Sequence, residues 1–257
     1  MKNAPIGVFD SGVGGISVLR KAVEVLPNEK FIYYGDSANA PYGTKSDDEV
    51  YALTEHVFET LLGMGAKAIL VACNTATSVA VRKLRSKYPD LPLVGIEPAI
   101  KPAAENHTGG RIVVMATSVT LRRPKFEKLM DKYRQDSEII PMPCPGLVEF
   151  IEKDNMDSPD MMEFLRVRFD ELGDKPADAV VLGCTHYPFI RRQIAEIAGP
   201  QATLYDGSLG TARELRRRIE AAGLLADEGS VGDVKIINSA GAELEELSWK
   251  LFNKAEL

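Results

Sequence analysis

Short apolar runs alternate with stretches of helical periodicity along the whole chain, and this alternation restricts the fold more than any other feature of the sequence. Runs at 6–9 (IGVF), 31–34 (FIYY), 68–72 (AILVA), 91–96 (LPLVGI), 111–116 (RIVVMA), 138–142 (EIIPM), 179–183 (AVVLG), 202–205 (ATLY) and 234–238 (VKIIN) read as strands. Their β-branched, nearly continuous apolar character predicts mostly parallel sheets covered on both faces. Between them, Ser46 and Glu49 form a capping box. Val50, Leu53, Val57, Phe58, Leu61 and Leu62 then make one apolar stripe, closed by Gly63 and Gly65. Ser158–Pro159 is a second helix start. Strand–helix repetition of this kind predicts an α/β fold with right-handed crossovers, and such folds bind ligands at the carboxyl ends of their strands.

Four strand ends carry chemistry. IGVF exits into Asp10-Ser11-Gly12, AILVA into Cys73-Asn74-Thr75, RIVVMA into Thr117-Ser118-Val119-Thr120, and AVVLG into Cys184-Thr185-His186-Tyr187-Pro188. A polar end precedes a cysteine end by 63 residues (10 to 73) and again by 67 (117 to 184), which suggests two similar units, each with one thiol. Such a pair would set the thiols on facing lips of one cleft. Asn74 or Thr75 would cap one helix, and Pro188 would open another over PFIRRQIAEIA. Both thiols would then lie near helix N-termini, whose partial positive charge favours thiolate. Cys144, between prolines, reads as packing. His56 (inside a helix) and His107 (in a polar loop) read as structural, whereas His186 is a proton partner for Cys184 or a ligand anchor.

The loop GVGGIS follows a strand, and Asp36 ends the next one, in the outline of a dinucleotide fingerprint for a dehydrogenase. The fit is poor, because the third glycine position is Ser17 and Asp10 crowds the place of a pyrophosphate. An anion nest for a substrate carboxylate suits the loop better, with Asp10 meeting an ammonium. No CxxC or HxxxH completes a coordination shell, so no metal is expected. A net charge of −6 argues against nucleic acid as a partner. No apolar run approaches a membrane span, and the N-terminus lacks a secretory signal, so the expected setting is cytoplasmic with reduced thiols.

Two thiols and an amino-acid-sized site point to proton chemistry. Inverting an α-carbon needs a base on one face and an acid on the other, and a thiolate–thiol pair fills both roles. Asn74, Thr75, Thr185 and the helix starts would stabilise the carbanion at its carboxylate.

DSGVGG (10–15), PYGTKS (41–46), ACNTATS (72–78) and LGCTHYP (182–188), in this order, closely resemble the glutamate racemases, within the cofactor-independent aspartate/glutamate racemase family. Aspartate racemases usually carry glutamate after the second Cys-Thr, so His186 points to glutamate rather than aspartate or a related small acid. The resemblance implies interconversion of L- and D-glutamate with no cofactor, supplying D-glutamate for peptidoglycan. It implies that Cys73 takes the proton from D-glutamate and Cys184 from L-glutamate, assisted by Asp10 and His186. Substrate contacts would fall on Asp10, Ser11, Pro41, Tyr42, Gly43, Asn74, Thr75, Thr117, Thr120, Thr185 and His186. Glu152 is an accessory candidate for which Glu149 competes. The implied architecture is two pseudo-symmetric flavodoxin-like domains, 1–97 plus 208–257 and 98–207, with the active site in the cleft between them. A homodimer is expected on the same ground.

Overall fold

The computed structural model describes residues 2–255; Met1 and positions 256 and 257, the last two of the segment expected as 208–257, lie outside the described residues. In chain order the elements begin β1 (Ile6–Asp10), α1 (Ile16–Val25), β2 (Lys30–Gly35), α2 (Asp47–Gly63), β3 (Ala68–Val71), α3 (Asn74–Lys87), β4 (Leu93–Gly95) and α4 (Ile100–Asn106). There follow β5 (Arg111–Ala116), α5 (Ser118–Leu121), α6 (Pro124–Tyr133), β6 (Glu138–Pro143), α7 (Leu147–Glu152), α8 (Pro159–Asp170) and β7 (Ala179–Leu182). The chain continues with α9 (Arg191–Ala198), β8 (Thr203–Asp206), α10 (Ser208–Ala221), β9 (Asp233–Asn238) and α11 (Ala242–Phe252). Each apolar run of the sequence carries one of these strands.

The chain divides into two compact units, one of Met1–Glu97 with Ser208–Lys254, the other built on Pro98–Gly207. The first holds a sheet in the order β4-β3-β1-β2-β9 and the second a sheet in the order β6-β5-β7-β8. Strand pairings in both sheets are parallel. Each unit places its second strand on one side of its first and its third strand on the other. The strand order therefore reverses between β1 and β3, and again between β5 and β7. Those reversals are the topological switch points, where parallel sheets open a crevice at their carboxyl ends.

Burial follows position in the sheet. Strands β1, β3 and β7 are buried throughout, as is β5 after Arg111, whereas β2, β9 and β6 alternate buried with more exposed residues and β8 has none buried. Cover on both faces thus holds for the central strands and fails for β2, β6, β8 and β9. The edge strand β6 also has its own protection. Glu138 and Cys144 donate their N–H groups to Gly110 and Ala116 on the β5 side. Pro141 and Pro143, one residue out of phase, occupy positions whose N–H would point outward. Two missing donors make the edge a poor template for another strand.

Local signals set the helices. Ser46 Oγ accepts the Glu49 N–H, and the Glu49 carboxylate accepts the Ser46 N–H at 2.9 Å, completing the capping box of α2. Val50, Val57, Phe58 and Leu61 from that helix enter one core with Phe9, Ile69, Val71 and Leu84. Ser158 caps α8 through the Met161 N–H, with Pro159 in its first turn. A second core joins Ile112, Val114 and Val181 to Ile100, Phe126 and Met130. At the amino ends of the first sheet, the buried Lys67 ammonium meets the Glu29 carboxylate at 2.5 Å, and Glu29 also accepts the Ala226 N–H. Among the described residues, no helix is long and apolar enough to cross a membrane.

Candidate active site

At the first switch point the loop after β1 folds onto its own acid. The buried Asp10 carboxylate accepts the Gly15 N–H at 2.9 Å. A Cβ on residue 15 would come within 2.5 Å of Asp10 Cβ, so only glycine permits this closure. The N–H groups of Ile16, Ser17 and Val18 turn to the carbonyls of Val13, Gly14 and Gly15. The N–H groups of residues 15–18 are thus turned inward, and the carboxylate that the glycine loop cradles is that of Asp10.

Cys73 lies just beyond β3 and caps α3 with its own sulfur, which accepts the Ala76 N–H at 3.5 Å and shares a hydrogen bond with Ser11 Oγ at 3.3 Å. The cap is therefore the thiol, and not Asn74 or Thr75, which form the first turn. The helix end favours thiolate, but it does not decide the charge of this thiol. Burial, and then the negative charge of Asp10, push the Cys73 thiol up to about 12, outweighing the Ala76 N–H and the Ser11 hydroxyl that favour thiolate.

The segment Pro41-Tyr42-Gly43 stands over Asp36. Tyr42 is buried against Phe9, and its hydroxyl donates to Asp36 at 2.6 Å, while Asn39 Nδ2 donates to both carboxylate oxygens at 3.0 and 3.1 Å. Burial and this hydrogen bond hold the Tyr42 proton far more tightly than an ordinary phenol does. The Tyr42 side chain is thus turned inward. Asp36, the acid a dinucleotide ribose would require, is buried and committed to its own loop.

At the second switch point Cys184 is half-buried, two residues beyond β7. The helix expected to run on from Pro188 is instead one 3₁₀ turn, Tyr187–Ile190, followed by α9. His186 is buried with Nδ1 3.7 Å from Cys184 Sγ, and its Nε2 meets the Glu152 carboxylate at 3.1 Å. Burial alone would lower the imidazole's pKa. The hydrogen bonds to Cys184 and Glu152 outweigh burial and hold it well above the ordinary value. Glu152, at the end of α7, makes this contact, whereas Glu149 is exposed. Thr185 is buried, and the Tyr187 N–H returns to the Cys184 carbonyl at 3.2 Å. Beside this end, Thr117 caps α5 through the Thr120 N–H, and the two hydroxyls lie 2.8 Å apart.

The remaining candidates lie elsewhere. Cys144 is buried with its thiol against the Met142 carbonyl at 3.5 Å, and burial raises its pKa to about 12. His56 is exposed on α2, and His107 pairs with the Tyr205 hydroxyl at 3.1 Å. Among the described residues, no three His, Cys, Asp or Glu side chains gather as a metal site requires. Sequence reasoning missed Tyr33, whose hydroxyl donates to the Gly12 carbonyl at 2.6 Å. The available signal was a tyrosine on the strand next to a glycine loop, inside an otherwise apolar run.

Residues 6–215 match the family described as Asp/Glu/hydantoin racemase. The glutamate racemase of Clostridium perfringens (strain SM101 / Type A) is 51% identical over 252 residues, covering 98% of this chain and 97% of that protein. Among solved structures, the glutamate racemase of Francisella tularensis in complex with D-glutamate has a TM-score of 0.83 at 28% identity, covering 100% of this chain and 96% of that one. A Bacillus anthracis glutamate racemase has a TM-score of 0.85 at 28% identity, covering 100% and 96%. With its switch-point geometry and this similarity along its length, the chain belongs to the Asp/Glu/hydantoin racemase family of isomerases.

Proposed function

We propose that this protein interconverts L- and D-glutamate by passing the α-proton between Cys73 and Cys184 without a cofactor, and that the D-glutamate formed feeds peptidoglycan synthesis in the cytoplasm. The observation that carries the reading is the equivalence of the two switch points. Each holds one thiol, and each thiol has its own ionisable neighbour: Asp10 for Cys73, His186 for Cys184. Racemisation needs one group to take the proton from one face of the α-carbon and another to return it on the opposite face. Each unit supplies one such group.

The two thiols enter the reaction with different neighbours. Cys73, with its pKa near 12, carries its proton at neutral pH and is ready to donate. His186, its pKa raised between Glu152 and Cys184, would donate a hydrogen bond to the Cys184 sulfur, most strongly while that sulfur is a thiolate. In one direction L-glutamate would lose its proton to Cys184 and receive one from Cys73, leaving as D-glutamate. The reverse turnover starts from the opposite protonation state. Asp10 would receive the substrate ammonium, and that cation would relieve the negative field that now holds the Cys73 proton. Asn74, Thr75, Thr117, Thr120 and Thr185 would offer hydrogen bonds to the carboxylates, stabilising charge as the carbanion forms. With the Tyr42 side chain turned inward, the Pro41–Gly43 segment would contribute through its backbone.

The test is α-proton exchange in heavy water with protein freed of pyridoxal phosphate. Either enantiomer of glutamate should lose its α-proton to deuterium while circular dichroism follows racemisation, and aspartate should react far more slowly. Absence of exchange, dependence on added cofactor, or preference for aspartate would overturn the reading.

A further inference from the structure

We propose that Tyr33 is a positioning residue for the Cys73 proton transfer, acting through the Gly12 carbonyl; this rests on the two-thiol reading above. Tyr33 is a fully buried side chain on β2, and its hydroxyl donates to Gly12 at 2.6 Å, a short and water-excluded bond. Gly12 adjoins Ser11, whose hydroxyl lies 3.3 Å from the Cys73 sulfur. The loop is otherwise closed from within, by the Gly15 N–H on the Asp10 carboxylate and the Ile16 N–H on the Val13 carbonyl. Tyr33 ties it instead to a neighbouring strand of the sheet. Gly35, two residues further along β2, leaves room for the same carbonyl, since a Cβ there would come within 2.7 Å of the Gly12 oxygen. The strand thus fixes this carbonyl by a donor at residue 33 and a gap at residue 35. The Ser11 hydroxyl and the Asp10 charge, which set the hydrogen bond and field at the thiol, inherit that position.

Tyr33→Phe removes the donor and leaves the ring. Small displacements at a proton-transfer site are costly, and kcat/KM should fall about tenfold. It must fall equally for both enantiomers, because the equilibrium constant of a racemisation is one. The discriminating readout is the primary isotope effect on kcat/KM with glutamate deuterated at the α-carbon. A slowed Cys73 step becomes more limiting, so the effect should rise with D-glutamate, whose deuteron Cys73 removes. With L-glutamate, whose deuteron Cys184 removes, it should fall toward the equilibrium isotope effect of that first transfer. Phe31→Leu, a buried change on the same strand away from Gly12, controls for loosened packing and should leave the two isotope effects in their wild-type ratio. If Tyr33→Phe does not accumulate as folded protein, Gly35→Ala presses on the same carbonyl and should produce the same split. An unchanged kcat/KM, or a loss in which the two isotope effects keep their wild-type ratio, would overturn the assignment. A wild-type protein that exchanges no deuterium would instead overturn the two-thiol reading itself.

Discussion

Cys73 and Cys184 each follow the third strand of a sheet, and the first four strands of the two units share one order, yet their surroundings differ in kind. Cys73 is buried, caps a fourteen-residue helix and has a carboxylate as its charged neighbour. Cys184 is half-buried, precedes a single 3₁₀ turn and has an imidazole as its neighbour, itself braced by Glu152. An anion beside a thiol holds the proton on, whereas a protonated imidazole offers one to be shared. A repeated topology therefore sets two thiols in unlike electrostatic surroundings, and the proposed two-thiol reaction, with unlike steps on its two faces, would use that difference.

The largest expected effect comes from removing either thiol. Cys73→Ala and Cys184→Ala should each lower kcat by about a thousandfold or more, and the double variant should lose little beyond the worse single one, because in the proposed mechanism both thiols serve one proton path. Serine variants sharpen the comparison. Cys73→Ser should retain exchange of L-glutamate's α-proton through Cys184, and Cys184→Ser that of D-glutamate through Cys73, read by proton NMR in heavy water. A serine variant that exchanges both enantiomers alike would remove the distinction between the two ends.

Neutralising each charged neighbour comes next, with an expected loss of about ten- to a hundredfold in kcat/KM. Asp10→Asn removes a charge that raises the Cys73 pKa, so alkylation of Cys73 by iodoacetamide should begin at lower pH. Glu152→Gln removes a partner that raises the His186 pKa, so the imidazole should titrate lower, as its NMR resonances would report. The sign for stability follows from the same shift. His186 has a folded pKa above its unfolded value, so its contribution is complete below about pH 6.5 and is lost as pH rises through the folded pKa. Glu152→Gln should move that loss to lower pH.

How much of this was legible differs between fold and site. The strands were legible because each is a short apolar run with few competing signals, and β5 and β7 are buried almost end to end. The capping boundary at Ser46 was legible because both partners lie within four residues. Edge exposure was not, since Ile139 and Ile140 look alike in sequence and only the position of β6 in the sheet distinguishes their faces. At the site, the two cysteines stood out because polar residues at buried strand ends are unusual company. The charge on Cys73 was not legible, because the helix end is local while burial and the Asp10 charge are set by the fold. Nor was the bond from the Tyr42 hydroxyl to Asp36 legible, since nothing in the two motifs marks them as partners.

The raised pKa of Cys73 makes a claim about alkaline stability. A folded thiol that titrates near 12, against about 9 unfolded, keeps its proton where the unfolded chain has lost it. Stability should therefore fall by about 1.4 kcal/mol per pH unit between those values for each such thiol. Cys144 shares the shift, so the described structure holds two thiols of this kind. Cys73→Ala should reduce the alkaline slope of urea-unfolding stability by about one proton, and Cys73→Ala with Cys144→Ala by about two. An unchanged slope in the single variant would mean that Cys73 is no more protonated than an exposed thiol, and the contrast with Cys184 would lose its basis.

The smallest effect falls on the neutral counterpart of Asp10. Thr117 follows β5 as Asp10 ends β1, but it carries a hydroxyl that caps the four-residue α5 through the Thr120 N–H at 3.2 Å. So short a helix has little hydrogen bonding of its own, and its cap is a large share of what defines it. Thr117→Ala should lower stability by about 1 kcal/mol in urea unfolding, and Thr117→Ser, which keeps the acceptor oxygen, should restore most of it. Kinetics separate this from the Asp10 end. Loss of a neutral hydroxyl should raise KM severalfold while leaving the alkylation pH of Cys73 unmoved, because no charge near that sulfur has changed. A shift in that alkylation profile would mean that the two ends share one electrostatic environment, and that the division into a charged acid at one switch point and a neutral cap at the other is wrong.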